Sequence, residues 1–266
     1  MLLEGKVAVV AGAGMGLGRS TALALAGEGA RVVVAARRTD RVDAIAREVE
    51  DLGGTVLAVT ADVASRDDCE RLAATAVEAF GVIDVLVANA AHPGTSGPLL
   101  SLDDEDILRP LVVNLLGTLN AVRAVEPVMR AGGGGCVVLV GSLAGARVLD
   151  GFGAYAVSKA ALLHAGSYLA RELGPANIRV NTVLPGTILG RSVDHYHKEL
   201  AARGSLTIEE IRAAAMADTS LGRLPTPAEV AGSILFLASH LSSPVTGQSL
   251  PVSCGQWDAY GELIPL

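Results

Sequence analysis

Seven short runs of small and β-branched residues, almost free of charge, alternate along this chain with longer stretches whose charges recur on one side. Lys6 to Ala11, Arg31 to Ala35, Thr55 to Thr60, Val85 to Ala88, Cys136 to Val140, Arg179 to Leu184 and Ser249 to Val252 read as strands. Runs that are apolar throughout suit strands buried on both faces, as in a parallel sheet covered by helices. Asp40 to Leu52, Ser65 to Phe80, Tyr155 to Leu173 and Glu209 to Ala217 read as helices between them. Parallel neighbours need right-handed crossovers, so this α/β order implies a doubly wound sheet of about seven strands with helices on both faces. Ligands of such sheets bind beyond the carboxyl ends of the strands.

The 266 residues are 50% hydrophobic and 3% aromatic, and no Pro/Ser-rich linker or charge run divides them, so the chain reads as a single domain over 1–266. A net charge of -7 without a basic cluster argues against nucleic acid as the main partner, because phosphate backbones demand a positive footprint. Met1 to Lys6 lacks the charged start and long apolar centre of a signal peptide. No segment offers the roughly 18 uninterrupted apolar residues of a membrane span. Cys69, Cys136 and Cys254 are odd in number, far apart and without metal-type spacing, and read as reduced thiols in a cytoplasmic protein.

After the first strand comes Ala11-Gly12-Ala13-Gly14-Met15-Gly16-Leu17-Gly18, then Arg19 and a helical run. A strand, a glycine turn and a helix start present unpaired amides to an anion, with the helix dipole in support. This is the geometry of a Rossmann-type dinucleotide site, with Gly12, Gly14, Met15, Gly16, Leu17 and Gly18 as candidate contacts. The spacing is G-x-x-x-G-x-G; Leu17 stands where the strict G-x-G-x-x-G pattern ends, and no Lys-Ser/Thr pair marks a nucleoside triphosphate loop. A plain tight turn is the competing reading. At the end of the second strand, where NAD-binding folds place an acid for the ribose diol, Ala36 is followed by Arg37 and Arg38. No carboxylate there repels a 2′-phosphate, and a guanidinium can hold one with paired hydrogen bonds, which points to NADP(H) rather than NAD(H). The alternative is that both arginines form a solvated helix start.

Tyr155 and Lys159 lie four apart, hence one above the other on a helix, and Ser142 follows an apolar run upstream. A neighbouring ammonium favours the phenolate. Lowering a phenol from about 10 to roughly 7 takes about 4 kcal/mol, within reach of a partly desolvated ammonium and a cationic cofactor ring together. Tyr155 is therefore expected to be an acid/base group near neutral pH. An ordinary surface pair has the same spacing.

Taken in order, these motifs resemble those of the short-chain dehydrogenase/reductase family over nearly the whole chain. The resemblance implies a tetrad of Asn114, Ser142, Tyr155 and Lys159, in which Ser142 donates to the substrate oxygen and Tyr155 passes the proton. Lys159 would hold the nicotinamide ribose, and Asn114 would support a water leading to solvent. A polar asparagine in Leu111-Val112-Val113-Asn114-Leu115-Leu116 also demands buried partners on physical grounds. By the same resemblance Asp62 meets the adenine beside Val63, Asn89 and Ala90 line the cofactor, and Pro185, Gly186 and Ile188 lie beside the nicotinamide. Departures are Ala11 for the usual threonine, Ala91 for glycine and Gly190 for threonine. The implied function is hydride transfer between NADP(H) and a ketone or secondary alcohol, as a carbonyl reductase. NAD(H)-linked alcohol oxidation and a catalytically silent dinucleotide-binding scaffold are the alternatives. Family members commonly form tetramers, which makes a homotetramer, or a homodimer, the expected assembly.

Residues 190–224 read as a substrate lid. His195 and His197 flank Tyr196 in it, but residues two apart share no helix face and no third ligand is near, so no metal is expected. His92 is a candidate to approach the pocket or a plain loop residue, His164 reads as packed or interfacial, and Leu149 and Phe152 as an apolar wall beside Asp150. The tail with Trp257, Tyr260, Ile264 and Leu266 is expected to close a pocket or cross to a neighbour. Ser101 to Asp104 reads as a capping box, with Pro110 a source of a kink unless it lies in the first turn.

Overall fold

The computed structural model describes residues 1–149, 151–190, 193–194, 198, 201 and 207–256. Seven strands form one parallel sheet: β1 (Val7–Ala11), β2 (Arg31–Ala36), β3 (Val56–Thr60), β4 (Val85–Ala88), β5 (Gly135–Val140), β6 (Ile178–Pro185) and β7 (Ser249–Val252). Their order is β3-β2-β1-β4-β5-β6-β7, every pair parallel. The order reverses direction between β1 and β4, which opens a crevice at their carboxyl ends.

Side chains alternate across the sheet, so β1 sends Val7, Val9 and Ala11 to one face and Ala8 and Val10 to the other. The first face is covered by α3 (Arg66–Phe80), α5 (Gly117–Ala131) and α6 (Gly153–Leu173). The second is covered by α1 (Leu17–Gly27), α2 (Thr39–Asp51) and α8 (Pro227–Ala238). Each valine or leucine taken fully from water contributes about 1.5–3 kcal/mol, and dozens are buried in these two layers. The edge strands β3 and β7 keep partial exposure, because each has a neighbour on one side only.

A helical run from Asp104 to Ala131 consists of α4 (Asp104–Leu111), a π turn at Val112–Leu116, and α5. It is long and apolar enough to cross a membrane by length and composition, although Asn114, Arg123 and Glu126 interrupt it and α5 packs beneath the sheet. The capping box expected from Ser101 is not formed. Ser101 Oγ donates to the Pro98 carbonyl, and Asp103 is the true cap, accepting from the Asp106 amide at 2.9 Å. Pro110 lies in the last turn of α4, not the first, and cannot donate to the carbonyl four residues back. The helix widens into its π turn directly beyond. Elsewhere Thr207 and Glu210 form a capping box at the start of α7 (Ile208–Ala217), inside the expected lid.

Candidate active site

Gly12 ends β1 at a φ of 93°, and a Cβ there would stand 2.2 Å from the Ala90 amide nitrogen, so only glycine permits this approach. Asn89 secures the contact by donating Nδ2 to the Gly12 carbonyl, while the Asn89 and Ala90 amides both donate to the Ala11 carbonyl. The turn is thereby clamped to the strand beside it. Beyond it, the amides of Met15, Gly16, Leu17 and Gly18 have no acceptor among the described residues. No acidic side chain occupies the first turn of α1, and Cβ atoms added at Gly14 or Gly16 would enter open space. A cradle of free amides at a helix start fits the pyrophosphate of a dinucleotide.

Asp62 follows β3, its Oδ1 accepting from the Ala64 amide at 3.0 Å, and the Val63 side chain fills the space that Gly117 leaves open. Arg37 and Arg38 are both exposed past β2. They are not equivalent. Arg38 forks onto Asp40, with Nε at 3.0 Å and Nη2 at 2.6 Å, whereas Arg37 has no hydrogen-bond or ion-pair partner among the described residues.

Ser142 lies two residues past β5 in extended backbone and caps a short 3-10 turn, accepting from the Ala144 amide at 3.2 Å. That turn abuts α6 so tightly that a Cβ on Gly145 would sit 2.7 Å from the Lys159 carbonyl carbon. The contact sets the Ser142 side chain close enough to Tyr155 for its hydroxyl to favour the phenolate. Lys159 is 1% exposed, donates Nζ to the Val140 carbonyl at 2.7 Å, and lies over the Tyr155 ring 5.8 Å from its centroid.

The electrostatics of the cofactor-free site divide the expected acidification of Tyr155 between protein and cofactor. Burial pushes the Tyr155 phenol above its ordinary value, and the nearby Ser142 hydroxyl only partly draws it back. Burial also pushes the Lys159 ammonium down to about 8. Its charge faces a carbonyl and the ring rather than the phenol oxygen, so the protein alone does not acidify Tyr155.

Asn114 is fully buried in the π turn, and its amide makes three bonds. It accepts from the His92 amide at 2.7 Å and donates to the His92 carbonyl at 3.0 Å and to Ser158 Oγ at 2.8 Å. Ser158 in turn donates to the Tyr155 carbonyl at 2.7 Å, so Asn114 ties the loop after β4 to α6. His92 Nδ1 accepts from the Gly94 amide, and burial with Arg109 and Arg37 nearby pushes its pKa down. Phe152 meets Tyr155 edge-on at 6.4 Å. His164 is exposed and meets Tyr168 edge-on at 5.2 Å, so it is not packed in the core and the interfacial alternative stays open.

A family model described as Enoyl-(Acyl carrier protein) reductase matches residues 12–256. The human dehydrogenase/reductase SDR family member 4 is 36% identical over 254 residues, covering 95% of this chain and 88% of that protein. The chain belongs to the short-chain dehydrogenase/reductase family. Among solved members, NAD+-bound xylitol dehydrogenase superposes with a TM-score of 0.91 at 28% identity, covering 96% of this chain and 100% of that one. A 7α-hydroxysteroid dehydrogenase complexed with NADH and 7-oxo glycochenodeoxycholic acid gives 0.87 at 34% identity, covering 95% and 94%. The family binds a nicotinamide dinucleotide, and the glycine cradle of this chain fits one.

Within this family fold, the turn Pro185, Gly186 and Ile188 leaves β6 at the carboxyl edge of the sheet, where the Leu189 amide is held by the Pro225 carbonyl. Two sets of contacts on this edge are not legible in the sequence. Ser158 was visible within Tyr155 to Lys159 but carried no distinguishing pattern, and the contacts of Arg147, Asp218 and Gln256 join segments too distant for spacing to reveal. His195, Tyr196, His197, Asp150 and the tail bearing Trp257, Tyr260, Ile264 and Leu266 lie outside the described residues.

Proposed function

We propose that this protein is an NADP(H)-dependent carbonyl reductase acting on a ketone, with Ser142, Tyr155 and Lys159 as its catalytic residues and Asn114 as their support. The observation that carries the reading is Ser142 set beside Tyr155, with a buried Lys159 over the Tyr155 ring, at the sheet edge that also carries the open glycine cradle. A bound nicotinamide supplies the hydride. Ser142 Oγ–H holds the substrate oxygen, and the Tyr155 hydroxyl gives it a proton as the carbonyl becomes an alcohol. A phenol kept protonated by burial is the form that reduction requires. Lys159 holds its ammonium over the ring of the phenolate left behind, and Asn114 fixes α6 against the loop after β4.

The preference for NADP(H) rests on Arg37, a cation just past β2 without a partner among the described residues, with alanine where an acid would serve NAD. Arg38 contributes less, since Asp40 already occupies its fork. NAD(H) is the second reading, favoured by the xylitol and 7α-hydroxysteroid dehydrogenases, which carry NAD+ and NADH. Paired kinetics on a ketone panel decide between them. One charge-assisted contact is worth about 1.5–3 kcal/mol, so Arg37→Ala should raise the KM for NADPH about 10- to 100-fold and leave NADH within about twofold. Equal losses with both cofactors would remove the basis for the NADP(H) reading.

A further inference from the structure

Arg147, Asp218 and Gln256 meet at the carboxyl edge of the sheet from three distant parts of the chain. Arg147 lies on the loop after Ser142, Asp218 ends α7, and Gln256 follows β7. The Arg147 side chain and Gln256 are each 9% exposed. Three hydrogen bonds of Gln256 reach other segments. Its Oε1 accepts from the Thr187 amide at 3.0 Å, its Nε2 donates to Asp218 Oδ2 at 3.0 Å, and its carbonyl accepts from Arg147 Nη1. The Arg147 guanidinium also stands 3.9 Å from Asp218. A Cβ on Gly186 would come within 2.4 Å of Gln256 Oε1, so the turn after β6 is shaped around this amide.

We infer that Gln256, with Asp218 and Arg147, forms a latch that positions the Gly186 to Ile188 turn and couples it to α7 and to the loop bearing Ser142. What makes the latch is satisfaction at a largely buried amide. A buried amide with donor and acceptor both used fixes two segments at once, and breaking it strands the Thr187 N–H and the Asp218 carboxylate together. Two further bonds continue the seam, from the Leu221 amide to the Cys254 carbonyl at 3.0 Å and from Ser220 Oγ to the Gly255 carbonyl at 3.2 Å. They hold the backbones side by side, while among the described residues Gln256 is the one whose side chain reaches across to Thr187. Gln256 is thus a positioning residue, acting on substrate and cofactor through the turn. The inference rests on the functional reading above for the identity of what the turn contacts.

The test uses two variants of the full chain. Gln256→Leu preserves bulk but removes donor and acceptor. The exchange Gln256→Glu with Asp218→Asn reverses the polarity of the bond and keeps one negative charge beside Arg147. In Gln256→Leu, hydrogen exchange at the Thr187 amide in cofactor-free protein should quicken by about tenfold, with the KM for NADPH up about tenfold and kcat within about threefold. The exchanged pair should bring both quantities back to within about twofold of wild type. Unchanged exchange at Thr187 in Gln256→Leu, or a paired variant as impaired as Gln256→Leu, overturns the latch. The exchange arm needs neither cofactor nor substrate. Wild-type protein inert toward every ketone would therefore overturn the functional reading while the exchange result still decides the latch.

Discussion

Lys159 is carried wholly inside the protein with one hydrogen bond, and its pKa near 8 records the cost of charging it there. Below pH 8 both the folded and unfolded chains hold the proton, so the penalty is fully present. As pH rises from 8 toward 10.5 the folded chain is neutral while the unfolded chain still binds a proton, and stability contributed by this group increases. Lys159→Met should therefore stabilise cofactor-free protein at pH 7 by about 1–2 kcal/mol after the lost bond to Val140 is deducted, although it removes a group proposed as catalytic. The gain should fade between pH 8 and 10.5, as read by denaturant unfolding of both proteins at several pH values. A less stable variant at pH 7 would contradict the burial account. The pairing of Tyr155 with Lys159 was legible from spacing alone. The direction of the phenol's pKa was not, because burial by the Ser142 loop and the rotation of Nζ toward Val140 are tertiary facts.

At the scale of elements, the glycine turn separates two kinds of glycine that sequence presents alike. Gly12 is needed by the fold, since its Cβ would strike the Ala90 backbone and its φ is positive, whereas Gly14 has open space beside it. Gly12→Ala should cost about 3 kcal/mol or more in unfolding free energy. Gly14→Ala should stay within about 0.5 kcal/mol in stability. It should nonetheless weaken dinucleotide binding about tenfold by standing in the cradle, which titration of bound NADPH would show. A Gly14→Ala variant that binds normally would mean that the phosphates do not sit there. Strand positions were readable because charge-free β-branched runs have few other uses. The cap of α4 was misread because Ser101 and Asp103 offer the same chemistry two residues apart, and only the path of the loop from Pro98 selects between them.

For the whole molecule, the doubly wound sheet places Gly12, Asn89, Ser142 and Pro185 at the carboxyl ends of four successive strands, an arrangement implied by the alternation of elements alone. What the alternation could not supply was the Arg147, Asp218 and Gln256 seam, since its members come from loops with no period. Exposed apolar side chains on the packed helices α4 and α6, among them Leu108 at 56% and Tyr168 at 61%, suit the homotetramer or homodimer expected from sequence. Light scattering should give a multiple of the 27.0 kDa chain, and a monomer at micromolar concentration would count against that use of the face. The most direct test of the account is turnover of a reducible ketone by Tyr155→Phe, which keeps the ring against Phe152 and Lys159 and deletes only the hydroxyl. The account predicts kcat/KM lower by about a thousandfold with NADPH binding unchanged. Turnover equal to wild type would contradict it.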